Sequence, residues 1–382
     1  MGQHVIAGLL GAARPEGWDF IERLLLAAQR QEGLRQAILE AADEGHPGAF
    51  DRILAVVLRH RLLRFAAAVR AAGVWLGFGA SVADLPQVEA RVRQLAAFRA
   101  DPAERGRALA GDDPWDAYAA LCAQGMRDVL ATVPEVQALS QHPAPGVRAA
   151  ALRYAAAIAL PAGQQLIAAA LGDADVRVAS LAVSLLGPEA CELPGTFGAL
   201  TRLIPRLPAA VQTADALGVE ALPVRISQAT AAYHLVRARG SRPVGDLLPW
   251  LPVMDAAGRM GVLAQIGRHP ELGADLRPVV VELLRDRSSH VRQAAIGVLT
   301  KTRLAPAEAP AVEALLTRAA ADVRRGALTL LMSLPPEAAR ASAARLAARA
   351  NRRQREAGAE LLRTLGDPRP ARPGCPTPGW ST

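Results

Sequence analysis

Arginine is the side chain with which this sequence could do most. Arg148, Arg177, Arg225, Arg292 and Arg324 each follow a valine at the second place of a short recurring phrase. A guanidinium presents a planar fork of N–H donors that matches a carboxylate or a phosphate. Arginines at one place of a repeated unit therefore either line a ridge for an anionic ligand or pair, unit by unit, with a neighbouring acid or carbonyl. Packing requires the same position in every unit and a binding face varies, so pairing is the expectation. A second group lies near the C-terminal end, where nine arginines stand against three carboxylates between Arg340 and Arg372. Arg345, Arg349, Arg352, Arg353 and Arg355 fall there on nearby helical faces and form a candidate anion-binding surface, although the last unit of a repeat array needs a polar outer face in any case.

Other chemistries find little support. The seven histidines are scattered, with no pair spaced i, i+4 around a glutamate, so no metal site is expected. Cys122, Cys191 and Cys375 are odd in number and widely spaced, which argues against a disulfide framework and a zinc site and fits a reducing cytoplasm. The single lysine, Lys301, follows no glycine loop, and there is no G-x-S-x-G. Ser180, Ser227 and Ser289 sit in repeat phrases or at helix starts, where a structural role is expected. No cofactor and no catalytic residue are assigned.

The chain has 382 residues, is 51% hydrophobic but only 4% aromatic, and carries a net charge of +8. Its apolar content is mostly Ala, Leu and Val, which favours closely packed helices. A basic balance raises the question of nucleic acid, yet nearly all of it is arginine beside abundant Ala, Gly and Pro, the pattern of GC-rich codon usage. The most apolar stretch, 149–171, is broken by Arg153, Pro161, Gln164 and Gln165, so no membrane span is expected.

The phrase itself is the organising feature. Val147-Arg148-Ala149-Ala150-Ala151-Leu152 returns at Val176, at Val291 and at Val323, and stepping about 30 residues from these reaches weaker copies at Val224, Gly258 and Gln354. Asp175 and Asp322 precede two of the valines as N-caps, and Ser288 or Ser289 could cap the Val291 copy. Val and Leu begin an apolar face, while small residues at the fourth and fifth places admit a neighbouring backbone. Each phrase thus opens the second helix of a hairpin. Residues 1–140 are helical but off this ruler, with helices expected over 18–30, 32–42, 47–60, 62–72 (ended by Gly73), 85–98 (capped by Asp84) and 114–130 (capped by Asp113).

Asp175-Val176-Arg177 and Asp322-Val323-Arg324 resemble the short Asp-Val-Arg form of HEAT repeats. The resemblance implies an all-α fold, an α-solenoid of helical hairpins, with each repeated arginine bonded to a polar or acidic group of the next unit. It spans 141–365, with an irregular insertion near 187–215, after a diverged helical region at 1–140 and before a disordered Pro-rich tail at 366–382. The segments 24–35 and 74–79 are also similar to the helical region of large bacterial proteins of unknown function related to a molybdate-metabolism regulator. On this reading the chain is a cytoplasmic, bacterial, non-catalytic scaffold or adaptor that grips a protein partner on the concave face of its second helices, away from any membrane. The competing reading is a nucleic-acid-binding protein similar to HEAT-like DNA glycosylases, with Trp75, Trp115 and Trp250 lining a groove. The His-Glu dipeptides of metal-binding HEAT hydroxylases are missing from the sequence.

Overall fold

In a computed structural model, the described residues are 3–366 apart from 29, 44, 78–84, 215–216, 219–223, 269–272, 274 and 318–320. The expected Asp84 cap, the end of the 74–79 segment, His269 and the tail from 367 onward lie outside them. The fold is all-α, with two short strands among the described residues. It divides into two compact units, Met1–Ala238 and Arg239–Thr382.

The first unit opens with α1 (Gln3–Gly11), α2 (Pro15–Ala27), α3 (Glu32–Asp43), α4 (Pro47–Arg59) and α5 (Ala66–Trp75). It continues with α6 (Leu85–Ala100), α7 (Pro102–Leu109), α8 (Pro114–Gly125), α9 (Val133–Leu139) and α10 (Pro145–Ile158). Then come α11 (Pro161–Ala169), α12 (Val176–Leu185), α13 (Pro188–Glu192) and α14 (Thr196–Leu203). The hairpin β1 (Gln212–Ala214) and β2 (Val224–Ile226) leads to α15 (Gln228–Ala238). Helices pack mainly on the next or the next but one in sequence, as in the runs α6–α8–α10–α12 and α9–α11–α13. That sequence-ordered stacking is the wiring of an α-solenoid.

The second unit holds α16 (Ala256–Ile266), α17 (Leu276–Leu283), α18 (Ser289–Thr302) and α19 (Ala309–Leu315), then α20 (Ala321–Met332), α21 (Pro336–Ala347) and α22 (Arg352–Gly366). Here the second helices α16, α18, α20 and α22 stack side by side, and α17, α19 and α21 lie against them. The core is a continuous seam of small and branched residues, among them Val262, Ile266, Val291, Ala295, Leu299, Val323, Ala327 and Leu331.

Local chemistry explains the boundaries. Asp101, Asp113, Asp175 and Asp255 accept hydrogen bonds from first-turn N–H groups of α7, α8, α12 and α16, and prolines occupy the first turn of α2, α4, α8, α10 and α11, where a missing N–H costs nothing. Four expectations are corrected. Gly73 does not end a helix, because it is buried inside α5, which runs on to Trp75. Ser288 holds the N-cap position of α18 but its side chain makes no cap hydrogen bond, while its own N–H donates to the Asp286 carboxylate at 2.8 Å. Asp322 lies inside the first turn of α20 rather than ahead of it. The Val224 copy is likewise no helix start: Val224 and Ile226 point inward and Arg225 outward in β2, a period of two that belongs to a strand. Much of the stretch near 187–215 is helical, in α13 and α14.

Candidate interaction surface

Three of the five repeated arginines, Arg148, Arg292 and Arg324, and Arg259 of a weaker copy fasten one hairpin to the next. Arg148, in the first turn of α10, donates through Nη1 to the loop carbonyls of His142 and Pro143 (2.8 and 2.9 Å). Its Nε and Nη2 grip both oxygens of Asp173, which belongs to the next hairpin, at 2.8 Å each. Asp173 in turn accepts from the N–H of Asp175. Arg292 repeats the device, with Nη1 on the carbonyls of Asp286 and Arg287 (2.9 and 3.1 Å) and Nη2 on Asp322 (2.6 Å). Arg259 bonds the Met254 carbonyl and pairs with Asp286 at 2.7 Å. Arg324 reaches Glu360 at 2.7 Å and lies 3.9 Å from Glu356. Each is a bidentate or charge-assisted contact from a second helix to an acid of the next hairpin, one such rung in the first unit and three forming a ladder in the second.

The electrostatics follow. The hydrogen bond from Arg292 holds the Asp322 carboxyl below its ordinary value, and Asp173 raises Arg148. A carboxyl depressed in the folded chain contributes stability that is complete above the unfolded value of about 3.9 and vanishes as pH falls through the lower folded value. Asp322→Asn should therefore flatten the acid limb of the melting temperature below about pH 4 relative to the parent chain, with little change in its slope at neutral pH; thermal melts by circular dichroism across that range check it.

Two of the expected arginines stand apart. Arg177 forks its own helix cap, Asp175, at 2.7 and 3.1 Å and keeps that carboxyl low. Arg225 is exposed on β2 and forms no rung among the described residues. Between them Arg206 donates to the carbonyls of Asp173 and Ala174.

The C-terminal group is not a bare anion-binding patch. Arg345 answers Glu313, a carboxylate only 2% exposed, at 2.6 Å, and Ser342 Oγ donates to the same carboxylate at 2.7 Å. That acid already fills the place of an external anion. Arg352 pairs with Glu356 at 2.8 Å and Arg353 donates to the Thr317 carbonyl. Arg355 donates to the carbonyls of Arg349 and Ala350, and Arg349 is exposed.

Several groups that matter carry no periodic signal. Buried Arg35 donates to the Ala28 carbonyl and stacks on Phe65; buried Arg99 pairs with Asp51 and reaches the carbonyls of Ala123 and Pro47. Trp75 and Trp115 are core residues whose indole N–H groups bond the Leu39 carbonyl and Gln94, so neither lines a groove. Cys191 Sγ lies 3.9 Å from His234 Nδ1, but burial raises the thiol and lowers the imidazole, which favours the neutral pair over thiolate and imidazolium. Burial pushes the Cys122 thiol to about 12. Among the described residues no three metal-ligating side chains cluster, and no helix is long and apolar enough to cross a membrane.

In unit 2 the second helices leave one face open. The exposed residues Gln293, Gly297 and Thr300 of α18 and Arg325, Thr329 and Met332 of α20 recur at i, i+4 and i+7, and Met260 and Ala264 of α16 stand at the first two of these places.

Residues 1–372 match the model of a family described only as of unknown function, DUF5724. No curated protein matches the chain. A solved crystal structure described as that of an engineered protein is 15% identical over 96% of this chain and 94% of its own, with a TM-score of 0.28, too low to support a shared fold.

Proposed function

We propose that this chain, which belongs to the DUF5724 family of unknown function, is a non-catalytic HEAT-like scaffold that binds a protein partner on the face of its second helices. The supporting observation is the ladder. The geometry of Arg148, Arg259 and Arg292 recurs in three hairpins and takes those arginines out of ligand binding, as the HEAT resemblance implies. The face that remains, with Met260 and Met332 both more than a third exposed among small and polar neighbours, suits a helical or extended partner that needs no deep pocket. Methionine adapts to varied apolar shapes. Cysteines odd in number and widely spaced favour the cytoplasm as the compartment of this binding.

The competing nucleic-acid reading loses two of its three groove tryptophans, since Trp75 and Trp115 are buried and only Trp250 is half-exposed. Affinity capture from the native host separates the two. A specific protein retained by the parent chain and lost from the Met260→Glu/Met332→Glu variant is the expected result. Saturable binding of a labelled duplex, falling steeply with salt, together with no retained protein would overturn the reading.

A further inference from the structure

We propose that the outward face of α22 is a second docking surface, one that accepts a helix carrying a carboxylate in its first turn. It is distinct from the open second-helix face of Met260 and Met332 and does not depend on it.

The argument rests on what every preceding second helix does with the same face. Counting from the first residue of each phrase, the arginine stands second, and the sixth and ninth places are apolar: Leu263 and Ile266 in α16, Ile296 and Leu299 in α18, Leu328 and Leu331 in α20. All but half-buried Ile296 are buried, on helices that the next second helix packs against. The Gly326 position of α20 shows how closely: a Cβ there would meet Ile296 Cδ1 at 2.1 Å. In α22 the corresponding residues are Arg355, Ala359 and Leu362. All three are exposed, and Leu362 keeps 44% of its surface in solvent. Arg355, Ala359 and Leu362 share one side of the helix at i, i+4 and i+7.

The guanidinium is already set for a partner. Arg148 and Arg292 place Nη1 on the loop carbonyls six and five residues upstream and give their remaining N–H groups to an acid of the next hairpin. Arg355 makes the same two carbonyl contacts, to Arg349 and Ala350. Among the described residues no carboxylate reaches its other edge. A fork fixed in advance loses less freedom when an acid arrives, and Arg353 and Arg363 add positive charge on the same helix, where Arg352 is neutralised by Glu356. Charge and shape thus select the kind of group that Arg292 meets in Asp322, a carboxylate in the first turn of a helix, with Asp173 and Asp286 standing just ahead of theirs, followed by a small apolar face.

The test uses the full chain and a labelled synthetic helix of about 20 residues, long enough to be helical, with two aspartates in its first turn and a leucine–alanine face. Fluorescence anisotropy should show saturable binding that weakens about tenfold or more when the aspartates become asparagines, or in Arg355→Gln. Leu362→Ser should weaken it as well. Arg355 and Leu362 are exposed, so both variants should melt like the parent, which separates lost docking from lost folding. Met260→Glu/Met332→Glu should leave this binding unchanged, so that failure here and failure of the scaffold reading are told apart. Equal affinity for the aspartate and asparagine helices, or indifference to Arg355→Gln, overturns the proposal. Tighter peptide binding by Asp367→Asn would assign the place to the chain's own tail and overturn it too, as would Arg355-dependent displacement of the peptide by single-stranded RNA.

Discussion

Arg259→Ala should destabilise the second unit by about 3–5 kcal/mol, the range for removing one partner of a buried ion pair. Arg259 and Asp286 are each 9% exposed in their side chains and lie 2.7 Å apart. Truncating the arginine leaves a carboxylate with too little water to replace the lost cation. The cost therefore exceeds the net worth of the pair, and Arg259→Met/Asp286→Leu, which removes both charges, should recover much of it. Arg177→Ala provides the contrast. Arg177 is about a third exposed and pairs with an aspartate in its own first turn, so its loss should cost less than about 1 kcal/mol. Urea titrations of the three variants, followed by far-ultraviolet circular dichroism, check the ranking. An Arg259→Ala midpoint equal to that of Arg177→Ala would contradict it.

The second large effect concerns a single methyl group. A Cβ at Gly358 of α22 would lie 2.6 Å from the backbone N of Ala347 and 2.8 Å from the carbonyl O of Ala343, both in α21. Backbone atoms cannot swing aside as a side chain can, so the helices must separate. Gly358→Ala should cost about 1–3 kcal/mol or more, despite the better helix propensity of alanine. Gly297→Ala is the matched control. Gly297 lies inside α18, where an added methyl would meet nothing within 4 Å, and the same change there should stabilise by up to about 1 kcal/mol. Melting temperatures moving in opposite directions would confirm the reading, and movement in the same direction would refute it.

These two positions also mark what the sequence discloses. Gly358 fills the fifth place of its phrase, where small residues signal close helix approach, and that signal is local and repeats. Arg148 and Arg292 were legible for the same reason. The identity of the partner was not: Gly172-Asp173-Ala174-Asp175 offers two acids in one loop, and only the fold shows that Asp175 caps α12 while Asp173 takes Arg148. Arg259 belonged to a weakened copy that had lost its valine, yet it forms the most buried rung, because the ion pair needs the arginine and not the residue before it. Val224-Arg225-Ile226 misled in the other direction. A β-branched residue on each side of an arginine satisfies a strand as well as a helix start, and three residues are too few for periodicity to decide. The Glu313–Arg345 pair stands one repeat apart in sequence, but its acid sits among Val312, Leu315 and Leu316, where composition reads simply as core.

One residue of the ladder has a consequence for mechanics. Asp286 holds Arg259 with its carboxylate and Arg292 with its carbonyl, and Arg292 in turn holds Asp322. Tension on any one of these hairpins is thus shared with both neighbours through a common joint. Under an applied load, the stretch from α16 to α20 should yield in a single rip rather than shed its hairpins one after another.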